Sequence, residues 1–178
     1  MRPRFFHIAM KSIYGVAMAI MLLLVSCVKD DEDENIGVGA GDSLPAFSVS
    51  LCGGGNVNSA DLRGKVAVIV FFSTECNDCR RELPVMQEVY EGLADDPDVA
   101  FVAISREEEP GAAARYWSEH GLTIPMSEQP DRAVYNLFAT VGVPRIYIAD
   151  ADGRITAVFD DLHAPAAAQL LAAIAAAR

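Results

Sequence analysis

The chain has 178 residues, 52% of them hydrophobic and 22% charged, with a net charge of −11. That length suits one domain with a sizeable core. The acidity argues against nucleic acid or an anionic membrane surface as partner.

The first 27 residues read as a leader rather than as part of the fold. Arg2, Arg4 and Lys11 give a positive start, and an apolar run follows from Ile13 to Val25. That run is shorter than the roughly 20 residues a membrane span takes and has the proportions of a secretory signal; an uncleaved N-terminal anchor helix is the alternative. Loss of the leader takes those three basic residues with it and leaves a net charge of −14. The ending Leu24-Val25-Ser26-Cys27 resembles the lipobox of bacterial lipoproteins, which implies acylation of Cys27. Acyl chains gain about 0.8 kcal/mol per buried CH₂, so several would hold the protein on a membrane surface. Residues 28–42, with five acids from Asp30 to Glu34 followed by glycines, cannot build a core and read as a solvated tether. The acidic run also resembles an export signal placed after the lipid cysteine in some Gram-negative bacteria. A plain spacer explains it equally well.

From residue 43 onward the pattern is that of one α/β domain with a mixed sheet. Residues 44–52 alternate and predict a short strand, ended by the turn at 53–56. Residues 66–72, VAVIVFF, form a continuous apolar run suited to a central strand buried on both faces. Leu83, Met86, Val89, Tyr90 and Leu93 recur at helical spacing after it, with Pro84 expected to kink that helix. VAFVAIS, 99–105, predicts a second buried strand. GAAARYWSEHGL predicts a helix stopped at Gly121, and DRAVYNLFATVG another, capped by Asp131. PRIYIAD and RITAVFD, joined at Ala151-Asp152-Gly153, predict a β-hairpin. An alanine-rich helix from about Pro165 to Ala177 closes the chain.

The chemistry is carried by Cys76 and Cys79, where the central strand gives way to charge. Side chains three apart on a helix face the same way, and the helix start supplies unpaired N–H groups and a positive dipole end. A thiolate at Cys76 would be stabilised there and act as nucleophile, with Cys79 one turn deeper as the resolving thiol. A zinc site fails on ligand count, since the chain after residue 27 holds one further Cys and two His. A purely structural disulfide remains open, although so small a loop makes a poor staple. Pro144, immediately before a strand, reads by itself as a loop proline.

Together, VIVFFSTECNDCRRELP and GVPRIYIADADGRI resemble the thioredoxin superfamily, specifically the TlpA/ResA-type thiol–disulfide oxidoreductases of bacterial envelopes, over residues 43–178. The resemblance implies a thioredoxin-like fold: a central mixed sheet flanked by helices, with an N-terminal strand extension and a central insertion near 106–130. It also implies Cys76 as exposed nucleophile, Cys79 as buried partner and Pro144 as a cis-proline facing them. The Val143 backbone would pair with an incoming peptide, and Glu75, Asn77 and Asp78 would meet the substrate beside the nucleophile. Pro84 matches the family's helix-kinking proline.

Glu75, Asn77 and Asp78 depart from thioredoxin, which has Trp before the first cysteine and often Gly-Pro between the two. Acids beside a thiol disfavour its thiolate and favour a stable disulfide, hence a reducing potential; carboxylates pointing into solvent would shift little. Val70 stands where thioredoxin has a buried Asp. Glu82 matches a glutamate of the envelope subfamily, which implies a proton acceptor for the resolving thiol; a residue merely complementing the helix dipole is the alternative. Cys52 reads as a half-buried residue, with a reactive side thiol as the alternative; Trp117, Met86 and Met126 read as core, and His120 and His163 show no obvious partners.

The expected function is a thiol–disulfide oxidoreductase of the cell envelope, lipid-anchored to a membrane and reducing disulfide-bearing proteins. It would need no cofactor or metal and bind no nucleic acid, and a membrane electron donor would regenerate it. Two rivals are a peroxidase of the peroxiredoxin type and a non-enzymatic, surface-exposed binding lipoprotein. The peroxidase pattern Pro-x-x-x-Thr/Ser-x-x-Cys is met at Ser73 and missed at Ile69.

Overall fold

The computed structural model describes residues 37–178. The signal-peptide, Cys27 and acidic-run expectations fall outside them. A five-stranded sheet in the order β5-β4-β3-β6-β7 forms the centre. Its strands are β3 (Val66–Phe72), β4 (Val99–Ser105), β5 (Met126–Ser127), β6 (Arg145–Ala149) and β7 (Ile155–Phe159). β3 pairs in parallel with β4 and antiparallel with β6, and β6 and β7 make the expected hairpin. A separate two-stranded ribbon, β1 (Ser48–Ser50) and β2 (Asn56–Asn58), precedes the sheet. The helices are α1 (Asn77–Leu93), α2 (Ala112–His120) and α3 (Ala167–Ala176).

All seven residues of β3 are buried, which is why it reads as an unbroken apolar run with strands on both sides. Burying each of its larger side chains contributes about 1.5–3 kcal/mol. Phe71 anchors an aromatic cluster with Phe138 at 4.8 Å, Tyr135 at 5.5 Å and Tyr147 at 6.1 Å between ring centroids. On the insertion side, Phe72 packs on Trp117 at 4.7 Å. Met86 and Met126 are core residues, as expected. α2 ends where Gly121 turns left-handed, at φ 64°.

Two local expectations need correction. Residues 131–142 do not form a helix. They make a 3-10 turn at Tyr135–Leu137, because Tyr135 and Phe138 are both drawn into the core at a spacing that a single turn satisfies. Asp131 Oδ1 still accepts a capping bond, from Ala133 N at 2.8 Å. The two-residue strand β5 gave no pattern to read. The last part of the tether is not free: Val38 N donates to Phe138 O at 2.9 Å, and Gly41 N to Ile155 O at 2.7 Å. No helix among the described residues is long and apolar enough to cross a membrane.

Candidate active site at the start of helix α1

β3 delivers the chain to Ser73 at the edge of the sheet, and α1 begins four residues later. Cys76 is the N-cap of α1, with an extended backbone at φ −86° and ψ 121°. Its sulfur accepts from Cys79 N at 3.4 Å, the role a Ser or Asp oxygen usually fills. The same sulfur lies 3.2 Å from Val143 O, to which the thiol donates. The Val143–Pro144 peptide bond is cis. Cys76 is half-buried and Cys79 fully buried, both as free thiols. Burial pushes the Cys79 thiol well above its ordinary range, opposed chiefly by the Ser73 N–H, which donates to its sulfur at 3.5 Å.

The segment before Cys76 is held by residues that carried no motif. Glu108 is buried and accepts from both the N–H and the hydroxyl of Thr74, the latter at 2.8 Å. Glu107, with a left-handed φ of 58°, turns the chain after β4 so that Glu108 N reaches Gln129 O at 3.0 Å. Arg80 Nε donates to Thr74 O. Thr74 is thus fixed at its N–H, hydroxyl and carbonyl. The sequence offered only a buried-carboxylate signal too weak to find, an acid within the run Glu107-Glu108-Glu109.

On the far side, Tyr135 donates its hydroxyl to Gly142 O at 2.6 Å, steadying the loop that carries Val143 and Pro144. Arg106 and Arg132 lie over the Tyr135 ring at 5.0 and 5.2 Å. Arg145 is buried and donates from Nε to Val141 O at 2.8 Å.

Glu82 is buried on the core side of α1, and burial raises its carboxyl above the usual range. Glu75 and Asp78 do not stand alone beside the nucleophile. Glu75 pairs with Arg80 at 3.8 Å, and Asp78 pairs with Arg81. Glu75 and Asn77 are exposed and Asp78 half-buried. Val70 is buried within β3. Cys52 is exposed rather than half-buried, 3.7 Å from Met126 Sδ. The two histidines have partners: His120 stacks on Tyr116, and His163 meets Asp160 at 3.1 Å. Among the described residues, no group of three or more His, Cys, Asp or Glu side chains is placed to hold a metal ion.

Cys76 at the helix start, the buried Cys79 a turn below and the cis-proline loop opposite thus form one site. The chain belongs to the AhpC/TSA family, whose model matches residues 40–158. Within reach of this family it is 25% identical over 115 residues to the thiol-disulfide oxidoreductase ResA of Bacillus thuringiensis, covering 65% of this chain and 66% of that one. It is 28% identical over 141 residues to the ResA of Oceanobacillus iheyensis, covering 77% and 71%. A solved thiol:disulfide interchange protein of the thioredoxin family, from Chlorobium tepidum, superimposes with a TM-score of 0.66 at 26% identity, over 79% of this chain and 98% of that one. The alignment with the first of these curated relatives spans just under two thirds of its length. This AhpC/TSA member has the thioredoxin-like fold and is similar throughout its domain to thiol–disulfide oxidoreductases.

Proposed function

We propose that the chain reduces protein disulfides in the cell envelope, held to a membrane by lipid on Cys27 and recharged by a membrane thiol–disulfide donor. Cys76 attacks a substrate disulfide and forms a mixed disulfide, and one substrate sulfur leaves as a thiol. Cys79 then attacks Cys76 Sγ, closing the Cys76–Cys79 disulfide and releasing the second substrate sulfur. The substrate gains two electrons and the cysteine pair loses them. The carrying observation is the difference in access between the two thiols: Cys76 half-buried in contact with Val143 O, Cys79 fully buried beneath it. That asymmetry suits a nucleophile and a resolving partner. Val143 and Pro144 supply backbone for an incoming peptide, flanked by Glu75, Asn77 and Asp78.

The family match keeps peroxide chemistry as a second reading. Against it, Ile69 is buried within β3 where the peroxidase pattern has proline. Ser73 Oγ, at the Thr/Ser position, accepts from Glu75 N at 3.2 Å.

The deciding experiment is the reduction potential of the Cys76–Cys79 couple in the purified protein, equilibrated against dithiothreitol or glutathione. A value near or below about −270 mV supports a reductant, whereas about −120 to −180 mV means an oxidant or isomerase. The absence of a reversible couple overturns the reading in favour of a binding scaffold, and peroxide consumption through Cys76 favours the peroxidase.

A further inference from the structure

The loop after β7 reaches back to the loop that faces the nucleophile. Gly142, two residues before Pro144, has a left-handed φ of 80°, and a Cβ placed on it would lie 2.7 Å from Asp161 Oδ1 and 3.3 Å from Asp161 Cγ. The Asp161 carboxylate therefore covers that face of Gly142, and a position that only glycine fits brings the two loops together. The adjoining Val143 offers its carbonyl to the Cys76 thiol at 3.2 Å. Among the described residues the Val143 N–H meets no acceptor, which leaves it to an incoming peptide. An acid thus stands one residue from the backbone that an extended substrate would meet.

The hydrogen bonds that shape residues 160–163 go to the neighbouring acid. Asp160 Oδ1 accepts from Leu162 N at 3.1 Å and His163 N at 3.0 Å, and meets His163 Nδ1 at 3.1 Å. Arg145, buried where the cis-proline loop enters β6, donates from Nε to Val141 O. Asp161 itself is exposed and makes no ion pair among the described residues. The acids next to Cys76 differ from it, because Glu75 pairs with Arg80 and Asp78 with Arg81. The sequence neighbours of the Asp161–Gly142 contact, Leu162 and Val141, are apolar and exposed at 72% and 58%. A side chain with an aliphatic stem and a positive head matches this combination, with apolar surface for the stem and an unpaired carboxylate for the head.

We infer that Asp161 is a specificity-determining residue, selecting protein disulfides that have a lysine or arginine within one or two residues of the attacked cysteine. This deepens the oxidoreductase reading above and rests on it. The partner is a protein that presents its disulfide in an extended, basic segment. Val143 pairs with the backbone beside the substrate cysteine, so the next side chain along reaches Gly142 and the carboxylate that covers it. The stem of that lysine or arginine lies along Leu162 and Val141, with its charge on Asp161. The chain's net charge of −11 also favours a basic partner on encounter. Only a charge at this loop reads where in the partner's sequence the basic residue stands.

The test uses short peptides whose single cysteine is activated as a 2-pyridyl disulfide, in protein carrying Cys79→Ser so that the mixed disulfide is retained. The residue beside the peptide cysteine is Lys, Ser or Glu, and a fourth peptide carries its lysine five residues away. Mass spectrometry of proteolytic fragments follows adduct formation on Cys76 and scores the exposed Cys52 separately. Cys76 should react about fivefold faster with the adjacent-lysine peptide than with the glutamate peptide, and the distant lysine should behave like serine. Asp161→Asn should remove most of that preference and Asp161→Lys reverse it, while Cys52 is indifferent to both. Equal rates with adjacent lysine and glutamate overturn the inference, as does a preference unchanged in Asp161→Asn. A distant lysine as effective as an adjacent one assigns the preference to net charge and overturns it too. Should Asp161→Lys fail to fold, the nearly isosteric Asp161→Asn decides alone. If Cys76 gains no adduct from any peptide, the oxidoreductase reading fails and the inference with it.

Discussion

The sulfur of Cys76 lies 3.2 Å from the carbonyl oxygen of Val143, so the thiol is held on the open side of α1 while Cys79 sits sealed below. Access should therefore separate the cysteines chemically. In the reduced native protein a maleimide reagent is expected to label Cys76 and the exposed Cys52, and to reach Cys79 only after denaturation. In the oxidised protein, of the three cysteines among the described residues, Cys52 alone should react. Mass spectrometry of proteolytic fragments reads this directly, and native labelling of Cys79 as fast as Cys76 would refute the assigned roles.

Thr74 is the joint that aims the nucleophile, and Glu108 is its principal support. Glu108→Ala removes two bonds from a carboxylate and leaves a buried N–H unpaired, so the expected loss is about 2–4 kcal/mol. Glu108→Gln keeps the shape and one acceptor oxygen, and should lose about 1 kcal/mol. Urea midpoints measure both. The rate at which Cys76 attacks an aromatic disulfide should fall in the same order, and an unchanged rate in Glu108→Ala would separate the clamp from reactivity.

Glu82 ties stability to pH. Its carboxyl is raised by burial, so the folded state holds the proton more tightly than the unfolded chain does. The resulting stability is full below the unfolded carboxylate range, about pH 4.3, and is lost as pH rises through the folded value. Glu82→Gln removes the burial of a charge. It should be more stable than wild type at pH 7, by on the order of 1 kcal/mol, with the advantage vanishing near pH 4. Urea denaturation at three pH values tests the sign. If Glu82 accepts the resolving proton, the same variant slows release about a hundredfold at pH 7.

What the sequence made legible follows from how its residues report burial. β3 is buried along its whole length and β4 at every residue but Ala100, and both announced themselves as apolar runs; α1 showed its core face through Leu83, Met86 and Val89. Gly121 marked the end of α2, and Gly153 the hairpin turn, at φ 74°. Residues 131–142 misled because Tyr135 and Phe138, three apart, fit an α-helix and a single 3-10 turn alike. The cysteine pair and Pro144 were visible as motifs. Glu108 and Arg106 were not, since their meaning lies in contacts with Thr74, Phe72 and Tyr135 that are distant in the chain. A charged residue in a polar run looks like surface until the fold buries it.

The potential of the couple depends on whether Glu75 and Asp78 act as free negative charges. As isolated acids they would disfavour a thiolate at Cys76 and make the couple more reducing. Arg80 and Arg81, one turn on, pair with them and offset their field at the helix start. The side chain of Glu75 is also 87% exposed, where water and salt screen it further. Glu75→Gln and Asp78→Asn should therefore each move the reduction potential by about 10 mV or less. Arg80→Gln should do more, because it frees Glu75 and also removes the donor to Thr74 O. Equilibration of the three variants against a glutathione buffer measures the shifts. A change of about 30 mV in Glu75→Gln, a factor of ten in equilibrium constant, would mean that the acids set the potential in spite of their partners.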